Sequence, residues 1–224
     1  MNTGHPLSRT FAAELEAFLA AALPRPLELA VVEGDDGIRV GGAWDAGARK
    51  FLPLPLDETA TSLLLRVEFK LADDPSGDFF RVLNSTFGLL IPVEKGGKAK
   101  DPVPLVRVEF ERGQVPPAHI HFHTSSQTLG WVYGRAGGAY RRAEDLHFPI
   151  GSQRFRPTIE EFLLFLDQER LFRGWCTDTD WRAQARRRMA QYERRQAIAM
   201  VAHYPDDIAG ELRRLGWTVA SPSD

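Results

Sequence analysis

Two hydrophobic periods divide this chain. Near its start Phe11, Leu15, Phe18, Leu19 and Ala22 recur at helical spacing, which predicts an amphipathic helix over residues 8–23. Pro24 and Pro26 end it, because proline cannot supply the N–H that a helix interior needs. Strand patterns then take over. "LELAVVE", "GIRVGG", "TSLLLRVEFKLA", "DFFRVLNSTFGLLI" and "PVPLVRVEFERG" are rich in β-branched and aromatic residues and are split by Gly, Pro and Asp turns. Their close spacing predicts an antiparallel meander rather than parallel strands linked by helices. "RVEF" occurs twice, at Arg66–Phe69 and Arg107–Phe110. Alternation puts Val67 and Phe69 on one side of the first copy and Arg66 and Glu68 on the other, and the second copy repeats this. Two similar half-buried strands account for the echo.

The later part is mostly helical. "SSQTLGWVYG" reads as a short helix, "RAGGAYRRAED" as a loop and "LHFPI" as a short strand. "GSQRFRPTIEEFLLFLDQERLF" reads as a turn and then a helix packed on the sheet, with Thr158 as cap and Glu161 as its capping-box partner. From Trp181, one stripe runs through Ala185, Met189, Tyr192, Gln196, Met200 and His203, with Arg182, Arg186, Arg187, Arg188, Arg194 and Arg195 on the flanks and back. Pro205 breaks this helix. A last one buries Ile208, Leu212 and Leu215, and Gly216 caps its end. The expected fold is α+β: a mainly antiparallel sheet packed by the N-terminal helix and a central helix at 158–172, with a C-terminal helical pair. Residues 1–175 form the α+β domain and residues 176–224 a helical extension packed on it.

Composition sets outer limits. An apolar fraction of 43% in 224 residues supports a core without metal or disulfide staples. The net charge of −2 gives no global pull toward nucleic acid or anionic membrane, so any such attraction comes from a local patch. The lone Cys176 has no internal disulfide partner and reads as an inert thiol in a reducing compartment. The N-terminus lacks a basic region and carries Glu14 and Glu16 within its apolar stretch, unlike a secretory signal. No run has the ~18 apolar residues of a membrane span. The expected location is the cytoplasm, away from membranes.

Against this background the stretch "PPAHIHFHTSS" is unusual, with His119, His121 and His123 in five residues. Residues two apart on a strand share a face and lie roughly 7 Å apart. One H-x-H pair can therefore close on a divalent metal such as zinc, with a third ligand from Glu109, Glu111 or His147. His119 and His123, about 13 Å apart, cannot share one ion. Metal-free chemistry is open too, because imidazoles titrate near working pH and serve as acid and base. So is a plain role as the wet side of a strand. A regular hairpin sets Glu111 beside His119, Glu109 beside His121 and Arg107 beside His123, with Ile120 and Phe122 facing the core. A second candidate is "LHFPIGSQRFRP": His147 on a strand, then Arg154 and Arg156 in a turn before a helix, with Arg135, Arg141 and Arg142 upstream. Guanidinium groups beside a helix start favour a bound anion, phosphate above all. Pairing of these arginines with Asp145 or Glu160 is the structural alternative.

"AHIHFH" followed by "LHFPIGSQRFRPTIEEFLLFL" resembles a pattern in a family of actinobacterial proteins without an assigned activity, in which an H-x-H strand precedes LHxPxGxxRFRPxxEDFLxFL. The resemblance spans roughly residues 105–170 and includes His119, His121, His147, Gly151, Arg154, Phe155, Arg156 and Pro157. More distantly, clustered histidines on a strand followed by a short strand and a helix are similar to TumE-type toxin–antitoxin proteins, although this chain adds N- and C-terminal helices. That likeness implies a toxin or defence role.

The leading expectation is a nuclease-like, phosphodiester-acting protein acting on nucleic acid. His121 with His119 or His147 would act as base and acid, and Arg154, Arg156 and Arg142 would hold the phosphate. Metal dependence, with ligands from His119, His121, His123 and Glu109, stays open. The competing expectation is a non-catalytic interaction protein, such as an antitoxin, immunity protein or complex subunit, whose C-terminal helices meet a protein partner.

Overall fold

The computed structural model describes residues 6–25, 27–56, 63–73, 80–95, 98–123, 148–151 and 156–220. Helix α1 (Pro6–Ala22) is followed by strands β1 (Ala30–Gly34), β2 (Gly37–Gly41), β3 (Trp44–Asp45), β4 (Lys50–Phe51), β5 (Leu54–Pro55), β6 (Leu64–Asp73), β7 (Phe80–Lys95), β8 (Lys98–Glu111), β9 (Ala118–Phe122) and β10 (Phe148–Gly151). Helices α2 (Ile159–Gln168), α3 (Trp181–His203) and α4 (Pro205–Arg214) complete the described chain. The expected short helix in 125–134 and loop in 135–145 lie outside the described residues.

The expected α+β architecture is present. Eight strands form one sheet in the order β1-β2-β6-β7-β8-β9-β10, with β5 also on β6, and every pairing is antiparallel. Strands β6 to β9 are the meander that the close spacing of the apolar runs implies. Burial alternates along β6, where Leu65, Val67, Phe69 and Leu71 are buried and the residues between them are not. The polar residues therefore share the opposite face.

Helices cover the apolar face. The rings of Phe11, Phe69, Phe87 and Phe162 run from α1 through β6 and β7 to α2, with successive centroids 5.1, 5.4 and 6.3 Å apart. Such edge-on and tilted contacts suit the ring quadrupole. Thr158 caps α2 as expected: its hydroxyl accepts from Glu161 N at 3.2 Å, and the Glu161 carboxylate accepts from Thr158 N at 2.7 Å.

The first turns of α3 belong to the same core. Trp181 and Ala185 are buried in it, and Trp181 stacks on Trp175. Cys176 N donates to Ala22 O at 2.9 Å, and the Thr179 hydroxyl donates to Ala21 O, which ties the connection to the end of α1. Burial then fades along the predicted stripe. Met189, Tyr192, Gln196 and Met200 are half-buried, and His203 is exposed.

Helix α4 departs from expectation. It ends in a Schellman arrangement, with Gly216 at φ 89°, Gly216 N donating to Arg213 O and Trp217 N donating to Leu212 O. Its apolar side is not buried, however. Ile208 and Leu212 are half-buried, and Leu215 is 58% exposed. Periodicity identifies an amphipathic helix but does not bring a surface to cover it.

Candidate metal centre

The two RVEF copies build the polar face. They flank β7 in the same register: Arg66 pairs with Gly88 and Gly88 with Arg107, while Glu68 pairs with Thr86 and Thr86 with Glu109. Strand β9 extends both rows, because Arg107 is opposite His121 and Glu109 opposite His119. One row across four strands thus reads Glu68, Thr86, Glu109, His119. The next reads Arg66, Gly88, Arg107, His121.

This register differs from the expected one by two residues. Glu111 N donates to Pro117 O at 2.8 Å, so the ladder resumes at Pro117 instead of after both prolines. A proline has no N–H but keeps its carbonyl acceptor, and here that acceptor is used. As a result Glu109 faces His119 and reaches His121 diagonally, and Glu111 meets no histidine ring. Phe122 is a second correction. It is 40% exposed rather than in the core.

The histidines are not on a wet face. His119 and His121 are only 6% and 3% exposed. Their rings meet edge to face at 4.9 Å, and both Nε2 atoms point at one carboxylate oxygen. His121 Nε2 lies 3.2 Å and His119 Nε2 3.6 Å from Glu109 Oε2. One ligand atom from each of the three residues falls within 4.8 Å of the others, and no further such cluster is found among the described residues. His123 is outside it, with its ring 6.5 Å beyond that of His121.

Outer contacts orient these groups. His119 Nδ1 lies 3.2 Å from Pro116 O. A carbonyl only accepts, so Nδ1 is the donor in this contact, which leaves Nε2 as the nitrogen facing Glu109 and available to a metal. Thr86 Oγ1 donates to Glu109 Oε1 at 3.4 Å and turns Oε2 toward the imidazoles. Arg107 Nε lies 3.1 Å from Oε2, but its angle makes no directed hydrogen bond, so the contact is an ion pair only. Glu68, along the row, is pushed above the usual carboxylate range by burial, with Arg66 pulling it down and Glu109 adding like-charge repulsion.

A metal fits this donor set. Ligand atoms held at about 2.0–2.1 Å in a tetrahedral shell sit about 3.3 Å from each other. The two Glu109–histidine separations bracket that value, and the third separation, between the histidines, is within 4.8 Å.

Arg156 is elsewhere. It borders a cavity with Val108 and Ile120, whose side chains leave the sheet on the side opposite Glu109, His119 and His121. The expectation that Arg156 and the histidines grip one phosphate is therefore not met, because the sheet stands between them. His147, Arg142 and Arg154 lie outside the described residues. Of the expected arginine–acid pairings, Glu160 does take an arginine, but it is Arg188, at 2.6 Å. Thr86 and Arg66 were not singled out from the sequence, although the doubled tetrapeptide marks the rows in which they stand. No family model, curated protein or solved structure matches this chain.

Proposed function

We propose that this chain is a metal-dependent, nuclease-like protein acting on phosphodiesters, with Glu109, His119 and His121 as its metal ligands. The observation that carries this reading is the convergence of two buried imidazole Nε2 atoms on one oxygen of the half-buried Glu109 carboxylate, with His119 Nδ1 held by a backbone carbonyl. Two imidazole Nε2 atoms converging on one carboxylate oxygen suit a single divalent metal, which would satisfy all three donors at once. Three protein ligands also leave a coordination position open for water or substrate. The metal's contribution there is Lewis-acid polarisation of a phosphoryl oxygen or of water.

The neighbouring arginines supply the preference for phosphate. The Nε atoms of Arg66 and Arg107 are buried, lie 3.3 and 3.1 Å from the Glu68 and Glu109 carboxylates as ion pairs, and make no directed hydrogen bond among the described residues. Gly88 stands between them without a side chain. A planar guanidinium presents paired donors to phosphate oxygens. Arg66 and Arg107 thus take the anion-holding role expected of Arg156. A toxin or defence role is the biological setting that fits this chemistry and the sequence resemblance.

The test is hydrolysis of bis(p-nitrophenyl) phosphate, RNA and single-stranded DNA by protein loaded with zinc, manganese or magnesium, each with and without chelator. Chelator-sensitive cleavage that His121→Ala abolishes is the expected result. Failure of the native protein to bind any of the three metals defeats the reading.

A second reading rests on a separate observation. Ile198, Val201, Tyr204, Leu215 and Trp217 are all exposed on α3, α4 and their flanks. Such a surface suits a non-catalytic interaction protein whose C-terminal helices meet a partner. Metal binding without hydrolysis of any of the three substrates favours that reading.

A further inference from the structure

Behind the histidine face, between β8, β9, α2 and α3, lies a cavity of about 370 Å³. Its walls are mostly apolar, with Ile120, Ile150, Phe162, Phe165 and Met189 among them. Six residues with polar side chains share the described lining, and two of them, Arg156 and Tyr192, face each other. The Arg156 guanidinium lies over the Tyr192 ring, 4.6 Å from its centroid. The Tyr192 hydroxyl is buried and has no hydrogen-bond partner among the described residues. We propose that this cavity binds a small amphiphilic carboxylate, with Arg156 and Tyr192 holding its head group and the apolar walls its hydrocarbon tail.

The described residues give Arg156 no paired counter-charge. A desolvated cation is costly unless it is paired. Burial lowers the Arg156 pKa from its ordinary value, with the charges of Tyr192 and Glu160 acting the other way. No carboxylate among the described residues comes within ion-pair distance of it. The two nearby in sequence are committed elsewhere. Glu160 holds Arg188 at 2.6 Å, and Glu161 accepts from Thr158 N at 2.7 Å in the α2 cap. Burial likewise raises the Tyr192 pKa, so its hydroxyl keeps its proton and offers it as a donor. A cation and a neutral donor facing an apolar chamber are complementary to one negative charge on a greasy body.

The same residues choose the type of anion. Glu161 and Glu193 also border the cavity. They repel a dianion more than a monoanion, which favours a carboxylate over a phosphate monoester. The volume falls within the common range for small-molecule sites, roughly 300–1,000 Å³.

Octanoate is a suitable probe, with 1-octanol and octyl phosphate as the neutral and dianionic comparisons. Isothermal titration calorimetry on the whole chain should show one octanoate bound, and 1-octanol weaker by about tenfold or more. Octyl phosphate should also be weaker. Arg156→Met should weaken octanoate about tenfold and Tyr192→Phe about threefold. Methyl resonances of Ile120 and Met189 should shift on addition. Equal binding of octanoate and 1-octanol, no binding of octanoate, or shifts confined to other methyls would overturn the proposal. Tighter binding of octyl phosphate would overturn the carboxylate assignment. Should Arg156→Met fail to fold, the ligand comparison on native protein and Tyr192→Phe still decide. Octanoate binding should persist in chelator and in His121→Ala, so this site and the metal centre stand or fall separately.

Discussion

The two faces of the β8–β9 pair make a sharp contrast. Val108 and Glu109 are neighbours in sequence, and Ile120 sits between His119 and His121, yet they serve different sites. On the polar face an anionic oxygen is approached by two imidazoles and a guanidinium. On the apolar face a guanidinium borders a cavity and has no ion-pair partner among the described residues. One side has donors gathered for a cation, and the other has a cation open to an anion. A single layer of backbone thus keeps apart two groups of opposite need that side by side would neutralise each other. The lesson is that a histidine cluster and an arginine loop close in sequence need not cooperate.

Several substitutions test that separation. Glu109→Ala carries the largest expected effect, a loss of zinc affinity of about a hundredfold or more, read by calorimetric titration. Zinc should also raise the melting temperature of the native chain and not of this variant, because a ligand stabilises only the state it binds. Metal affinity unchanged in Glu109→Ala would erase the contrast. Val108→Ala, one residue away, should cost about 1.5 kcal/mol of stability from its two lost methyl-sized groups, measured by urea denaturation. Its zinc affinity should stay within about threefold of native, and a larger fall would mean that the faces are coupled. Thr86→Val keeps the shape and removes the hydroxyl that turns Glu109, so zinc should bind about tenfold more weakly.

The smallest effect is at the far edge of the sheet. There Lys70 and Arg39 both reach Asp36, at 2.8 and 2.9 Å. The Lys70 hydrogen bond, and then that of Arg39, lower its carboxyl from an ordinary 3.8 to about 2. A depressed folded-state pKa stabilises above the unfolded value and loses that contribution as pH falls from about 4 to about 2. An NMR titration should place the Asp36 midpoint near 2 and move it upward in Lys70→Ala. The group is exposed, so the associated change in stability is slight.

The fold was largely legible because alternation and helical spacing are local signals. The strands of the meander, the Thr158 cap and the helix α3 itself follow from residues a few positions apart, while the fading of burial along α3 does not. The candidate trio is legible too, since an H-x-H pair takes Glu109 among its possible third ligands. What it could not supply was the registration between strands. That depended on whether the Pro117 carbonyl joined the ladder, a choice made by the turn and not by the pattern. The burial of His119 and His121 was equally hidden, since polar residues alternating with apolar ones read as solvent-facing. The position of Arg156 behind the sheet needed the tertiary arrangement of α2 and α3, which no nearby residue encodes. The exposed side of α4 shows the converse, a strong local pattern without a tertiary surface to receive it.

The turn at 112–116 has a consequence out of proportion to its size. It sets the frame in which β9 is read against β8, much as a reading frame sets codons. Lengthening it by one residue would turn Ile120 outward and both imidazoles inward, stripping each face of its chemistry in one step. Five exposed or half-exposed residues, which give the sites no side chain and only the Pro116 carbonyl on His119, therefore have as much say over both as the side chains that line them, and selection on the length of this segment should be stricter than selection on its composition.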